Sequence, residues 1–278
     1  MTTPSPIAAL ASDFETAVGL PARRDGIAGL FPPGGALRRI AVPLALFALA
    51  NVWLLGFGGD RWLASHVYAW EGGRWALRDV YMTTSVIHVF GKHLSTAAWL
   101  LVVALAIVAW RRPVWASLRR PAVCLALSVL LSTTIVAWLK HTTHMDCPWD
   151  AALYGGSHPY FGLFDARPAH LRTSGCFPGG HASAGYAWVA LYFFFLSVRR
   201  EWRWAGLGIG LAAGLIFGVS QQLRGAHFMS HDVWTLMICW TVAVTLHALT
   251  VRWSLARAAL AAARHSRSRA GFAQRARR

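Results

Sequence analysis

Six apolar runs set the terms for this chain. They cover residues 40–57, 94–110, 122–139, 184–198, 204–220 and 233–251. A bilayer takes about 20 helical residues to cross. Backbone polar groups inside it must be bonded within the span, which leaves helices. The fourth and fifth runs are short, and each has a polar flank into which it can extend by a turn. At 56% hydrophobic residues the chain is more apolar than soluble domains of this size usually are. The expected class is all-α, a six-span transmembrane helical bundle. The first 30 residues carry charges and no compact apolar core, so a cleavable signal peptide is not expected there.

Arginines orient the spans. Arg23, Arg24, Arg38 and Arg39, then Arg111, Arg112, Arg119 and Arg120, then Arg199, Arg200 and Arg203, then eight arginines from Arg252 to Arg278 fall on one side. That side holds 19 of the 27 basic residues, and the other holds seven of the 11 acids. The positive-inside rule puts both termini in the cytoplasm and the intervening loops outside, as in a bacterial inner membrane. The net charge of +16 lies in short loops and a tail beside apolar spans. It reads as topology and contact with anionic lipids on the cytoplasmic side, and no nucleic-acid partner is expected.

The organisation expected is a cytoplasmic lead over 1–36, a six-span domain over 37–252 and a basic tail over 253–278. Residues 58–92 form the first outer segment. Its Trp62, Trp70 and Trp75 suit a helix lying in the headgroup zone. Residues 140–182 form an outer loop too long for a simple connector. Cys124 and Cys239 fall inside spans. Cys147 and Cys176 share the exported loop, where an oxidising compartment favours a disulfide closing about 30 residues.

The outer face also collects the chemistry. Phe177-Pro178-Gly179-Gly180-His181 is a glycine turn ending in a histidine at the mouth of the fourth span. Backbone N–H groups of such a turn make an anion site. Ser220, Gln221, Arg224, Gly225, His227, Ser230, His231 and Asp232 form a second patch before the sixth. Arg224, His227 and His231 share one face at helical spacing. Lys140 ends the third span. Histidines beside a phosphate site can act as nucleophile or acid. His144 with Asp146 and Asp150 is a weak metal pattern that matches no strong ligand spacing.

These residues resemble the type 2 phosphatidic acid phosphatase family, whose motifs are K-x6-R-P, P-S-G-H and S-R-x5-H-x3-D. The correspondence runs from Lys140 to Pro148, through Pro178-Gly179-Gly180-His181, to Ser220, Gly225, His227 and Asp232, covering roughly 95–250. Four positions depart. Cys147 stands for the first-motif Arg, Gly179 for the Ser, Gln221 for the third-motif Arg, and His231 for the Asp, with Asp232 one residue later. The pattern marks a divergent branch with a Cys-Pro-Trp-Asp first motif.

The resemblance implies a six-helix membrane core and an enzyme that needs no metal or other cofactor. It implies a phosphatase acting on a membrane lipid phosphate or diphosphate through a phosphohistidine, on the periplasmic face. His227 is favoured over His231 as nucleophile because Gly225-x-His227-Phe228 matches. His181 is the expected acid. Lys140, Arg224, Gly179 and Gly180 are the expected phosphate holders, with Arg167 or Arg172 as replacement cations. Asp232, or else Asp150, is expected to orient a histidine. Lipid phosphotransfer through the same intermediate and a non-catalytic lipid-binding protein are the alternatives.

Overall fold

A computed structural model describes residues 35–275 except 169, 170, 172 and 173. Most of the 1–36 lead, together with His170 and Arg172, therefore lies outside the described residues. No strand forms among those described. The helices are α1 (Gly35–Asn51), α2 (Gly59–Trp70), α3 (Gly91–Arg111), α4 (Arg119–Thr142), α5 (Gly180–Tyr186), α6 (Leu191–Val198), α7 (Arg203–Leu223) and α8 (Met229–Arg275). A π-helical stretch, Met82–Phe90, leads into α3, and a 3-10 turn, Ala187–Ala190, joins α5 to α6 as one span.

Six segments are long and apolar enough to cross a membrane: Leu37–Gly56, Met82–Arg111, Pro113–Thr142, Gly180–Val198, Arg200–Leu223 and Met229–Ser254. The chain is a multi-pass membrane protein of the all-α class. The second span begins 12 residues before the sequence run at 94, because polar Thr83, Thr84 and His88 interrupt the apolar pattern there. The fourth extends into the glycine turn as its polar flank allowed. Leu44, Leu46 and Leu49 on α1 and Leu100, Leu101 and Ile107 on α3 are exposed. Leucine side chains facing outward along a spanning helix suit a hydrocarbon solvent.

The fourth span is the axis. Of its most apolar stretch 61% is buried, against a third or less in each other span. Ala182, Tyr186, Val189 and Phe193 pack there with Leu125 and Val129 of α4 and Cys239 and Ala243 of α8. α7 lies against this axis through Gly206, Gly210, Gly214 and Gly218, one per turn. A Cβ on Gly210 would run into the Val189 backbone, and one on Gly214 into the Tyr186 ring. Small residues at this period let two backbones approach closely inside a bilayer, where packing rather than apolar burial drives helix association.

A second, smaller cluster caps one end of the bundle, with Ala64 of α2, Met145, Ala151, Tyr154, Phe177 and Phe228. Trp62 and Trp70 are exposed on α2. Trp75 is not. It packs on Tyr68 and Tyr154 and sits where any side chain on Gly225 would be. Gly225 has φ +70°, which independently favours glycine.

Candidate active site

Three segments far apart in sequence meet at one end of the bundle. The arginine-rich α3–α4 connection lies at the other end, beside a cavity of about 530 Å³ that Arg119 and Arg120 line. Hydrogen bonds fix the convergence. Thr143 Oγ1, just past α4, donates to the Phe177 carbonyl at 2.5 Å. Trp149 N–H donates to the Gly225 carbonyl at 3.0 Å. Gly179 N–H donates to the His231 carbonyl at 3.3 Å, and Thr235 Oγ1 to the Gly179 carbonyl at 3.3 Å. The Cys147–Cys176 disulfide ties the Lys140 segment to the glycine turn, with Cα atoms 5.2 Å apart.

His227 sits in the turn between α7 and α8 and is buried. Its Nδ1 faces Nδ1 of His231 at 3.2 Å. One of the two must donate and the other accept. His231, in the first turn of α8, is fully buried, with the Phe177 and Phe228 rings edge-on at 5.3 and 5.6 Å. Burial first, then the positive neighbours His231, Lys140 and His181, holds His227 well below the ordinary imidazole range. Lys140 Nζ lies 3.7 Å from where a Cβ on Gly180 would stand, so its ammonium borders the glycine turn directly.

His181 opens the first turn of α5 and borders a groove of about 400 Å³. Its other walls include Lys92, Trp99, Val129, Leu130 and Ala137 from α3 and α4. The groove therefore runs from the histidine into the apolar body of the bundle. Gly179 has its N–H committed to His231. Gly180, the first residue of α5, has no carbonyl inside that helix to bond.

Several expected residues stand elsewhere. Asp232 does not orient a histidine. Its Oδ2 accepts from Gln222 Nε2, and its carboxylate is wedged between Gly179 and Gly218. His231 instead occupies the place beside His227. The physical reason is register: His231 lies four residues after His227 and one helical turn brings the rings together, whereas Asp232 points round the helix toward α7. Asp150 accepts from Cys147 N–H at 3.0 Å. Arg167 is not a spare cation, because its fork grips Asp146 at 2.7 and 3.2 Å. Asp146 also holds Ser174 and His158, so it is not assembled with His144 and Asp150 as a ligand set. Arg224 lies at the rim, donating Nε–H to the Arg78 carbonyl at 2.7 Å and an Nη–H to Gln221 Oε1 at 3.1 Å.

The segment that carries this arrangement has a counterpart among known families. Residues 121–255 match the model of the PAP2 superfamily. Over that stretch the chain is similar to the PAP2 superfamily. The match begins at the start of α4 and ends just past the sixth span, so it contains every motif residue of the site. No curated protein and no solved structure matches the chain. That similarity points to phosphatase-type activity.

Two residues at this site escaped sequence reasoning, and both precede the PAP2-matched region. Asp60, in the first turn of α2, is buried and accepts the Ser230 N–H at 2.9 Å through Oδ1. It thereby caps α8, the helix that carries His231. Burial, offset in part by that bond, pushes its carboxyl up to about 6. An acid directly after an apolar run was the available signal. Lys92, the second residue of α3, is the other.

Proposed function

We propose that this protein is a lipid phosphate or diphosphate phosphatase working through a phosphohistidine at His227. The observation that carries the reading is the 3.2 Å contact between the Nδ1 atoms of His227 and His231. If His227 donates its Nδ1–H to His231, its Nε2 keeps a lone pair for phosphorus. A depressed His227 pKa keeps that lone pair available near neutral pH. His231 thus takes the orienting part that an acid plays in other nucleophile–histidine pairs.

In the reaction, His227 Nε2 bonds to phosphorus as the phosphorus–oxygen bond to the lipid breaks. The departing oxygen takes a proton from His181. Water then attacks the phosphohistidine, gives a proton back to His181 and releases inorganic phosphate. Lys140, Arg224 at the rim and the Gly180 amide offset charge on the equatorial oxygens. The apolar groove beside His181 supports a lipid substrate, since a chain leaving the site has hydrocarbon-like walls to follow. The arginine distribution supports a site on the periplasmic face of a bacterial inner membrane, with residues 253–278 as a basic cytoplasmic tail.

The test is chemical quench with a lipid phosphate labelled at phosphorus. A protein adduct that is stable in base, labile in acid and absent from His227→Ala is the expected result. An adduct that survives His227→Ala and disappears in His231→Ala would move the nucleophile to His231.

A further inference from the structure

We infer that Lys92 makes this site select lipid diphosphates over lipid monophosphates by binding the phosphate that stays on the lipid. The inference rests on the phosphatase reading above.

The starting point is register. α3 and α5 both run inward from the outer face. Ser95 Oγ donates to the Ala184 carbonyl at 2.7 Å, and Trp188 Nε1 donates to Ser95 Oγ at 2.9 Å. These bonds lock the two helices side by side. Three residues before Ser95 is Lys92, and three residues before Ala184 is His181. Stepping back equally on two parallel helices brings Lys92 and His181 to the same level. Two cavities bear this out. Both residues line the 400 Å³ groove, and both line a small void of about 10 Å³ whose remaining walls are Ile87, Ala184, Phe217 and Gln221.

Charge makes the juxtaposition meaningful. Two arginines of the family pattern are missing here: Cys147 is in a disulfide and Gln221 is neutral. Arg167 is spent on Asp146. Lys92 is a cation on the same wall as Gln221, and among the described residues no carboxylate pairs with it. Lys92 is exposed and borders both cavities within a segment apolar enough to span, and an ionisable residue in that position is a starting hypothesis for a functional site.

Position then decides which phosphate it meets. Lys140 borders the Gly180 turn and acts on His227, so it faces the phosphorus under attack. Lys92 lines the groove together with His181, the residue proposed to protonate the departing oxygen. With a lipid monophosphate the leaving group is a neutral alcohol once protonated, and Lys92 has nothing to hold. With a lipid diphosphate the terminal phosphorus bonds to His227 Nε2 and the bridging oxygen departs on a lipid monophosphate. Its new negative charge develops beside Lys92 and His181.

The experiment uses the purified full-length protein in detergent, with farnesyl diphosphate and farnesyl monophosphate as probes and phosphate release as readout. Wild type is expected to show the higher kcat/KM on the diphosphate. Lys92→Gln should lower the diphosphate value by roughly tenfold and leave the monophosphate value within about threefold. Lys92→Arg should keep most of the preference. A wild-type protein with no diphosphate preference overturns the inference without any variant. So does a Lys92→Gln protein that keeps the wild-type ratio or loses both activities equally. His227→Ala separates the two levels. Turnover that persists in it removes the phosphohistidine reading, whereas an inactive His227→Ala with an unchanged ratio in Lys92→Gln removes only the part assigned to Lys92.

Discussion

Asp232 Oδ1 lies 2.7 Å from the point where a Cβ on Gly179 would stand. The glycine and the displaced acid are therefore one feature. A side chain at 179 and the carboxylate at 232 cannot share that space, and Gly218 makes room on the other side of the same group. Gly179→Ser, which restores the family pattern, is expected to cost about 1–3 kcal/mol of stability and most of the turnover. Adding Asp232→Ala should recover part of both. Thermal melts and phosphate release on the four proteins of that cycle check it, and strict additivity would refute the coupling.

His231 supplies orientation through its ring nitrogen. His231→Ala should lower kcat by about 10²-fold or more, with a small change in KM, because the Nδ1 of His227 loses its acceptor. His231→Asp should restore a large share, since a carboxylate there accepts the same proton. If His231→Asp is as inactive as His231→Ala, the ring does something other than hold its neighbour.

Asp60 gives stability a pH signature. Its carboxyl is raised from 3.8 to about 6 in the folded protein. The folded state then holds a proton that the unfolded chain releases earlier, so this contribution is full below pH 3.8 and fades as pH rises through 6. Asp60→Asn keeps an acceptor for Ser230 and removes the charge. Between pH 4 and pH 8 the variant should gain on wild type by up to about 3 kcal/mol. Melting both proteins across that range checks the sign. A difference that shrinks as pH rises contradicts it.

His227 gives activity its own limb. Its pKa is depressed chiefly by burial, so the nucleophile stays neutral below the pH at which a free imidazole protonates. The acid-side fall in kcat/KM attributable to it should lie below about pH 6.5. Replacing Lys140 with Met removes one of the charges that depress it and should shift that limb upward in whatever activity remains.

The disulfide is expected to matter to both fold and turnover. It closes a segment with a sequence separation of 29, worth roughly 3–4 kcal/mol in the chain-entropy model. Thiol labelling of the denatured protein should rise by two groups after reduction. Cys147→Ser should lower the melting temperature and loosen the Lys140 segment from the glycine turn, seen as a raised KM.

Much of this was legible in the residues. Apolar runs and arginine placement announced six spans, and the histidine patches marked the segments that meet. The rest depended on relations a linear reading does not contain. His231 and Asp232 are adjacent in sequence, yet a 100° step of the helix sends one to His227 and the other to Gln222. Asp60 and Ser230 are 170 residues apart. The level of Lys92 against His181 is set by the bond between Ser95 and Ala184, 89 residues apart. The four-residue glycine spacing of α7 is itself visible in the sequence.

The bond between Cys147 and Cys176 also bears on how the protein enters its membrane. A disulfide survives where the surroundings are oxidising and is lost where glutathione or thioredoxin reach it. A copy threaded upside down would present both sulfurs to reducing cytosol and leave Lys140 untethered from Gly180. Under the proposed periplasmic orientation, the tie between Lys140 and Gly180 would then depend on correct insertion, and the cross-link would serve as a check on topology.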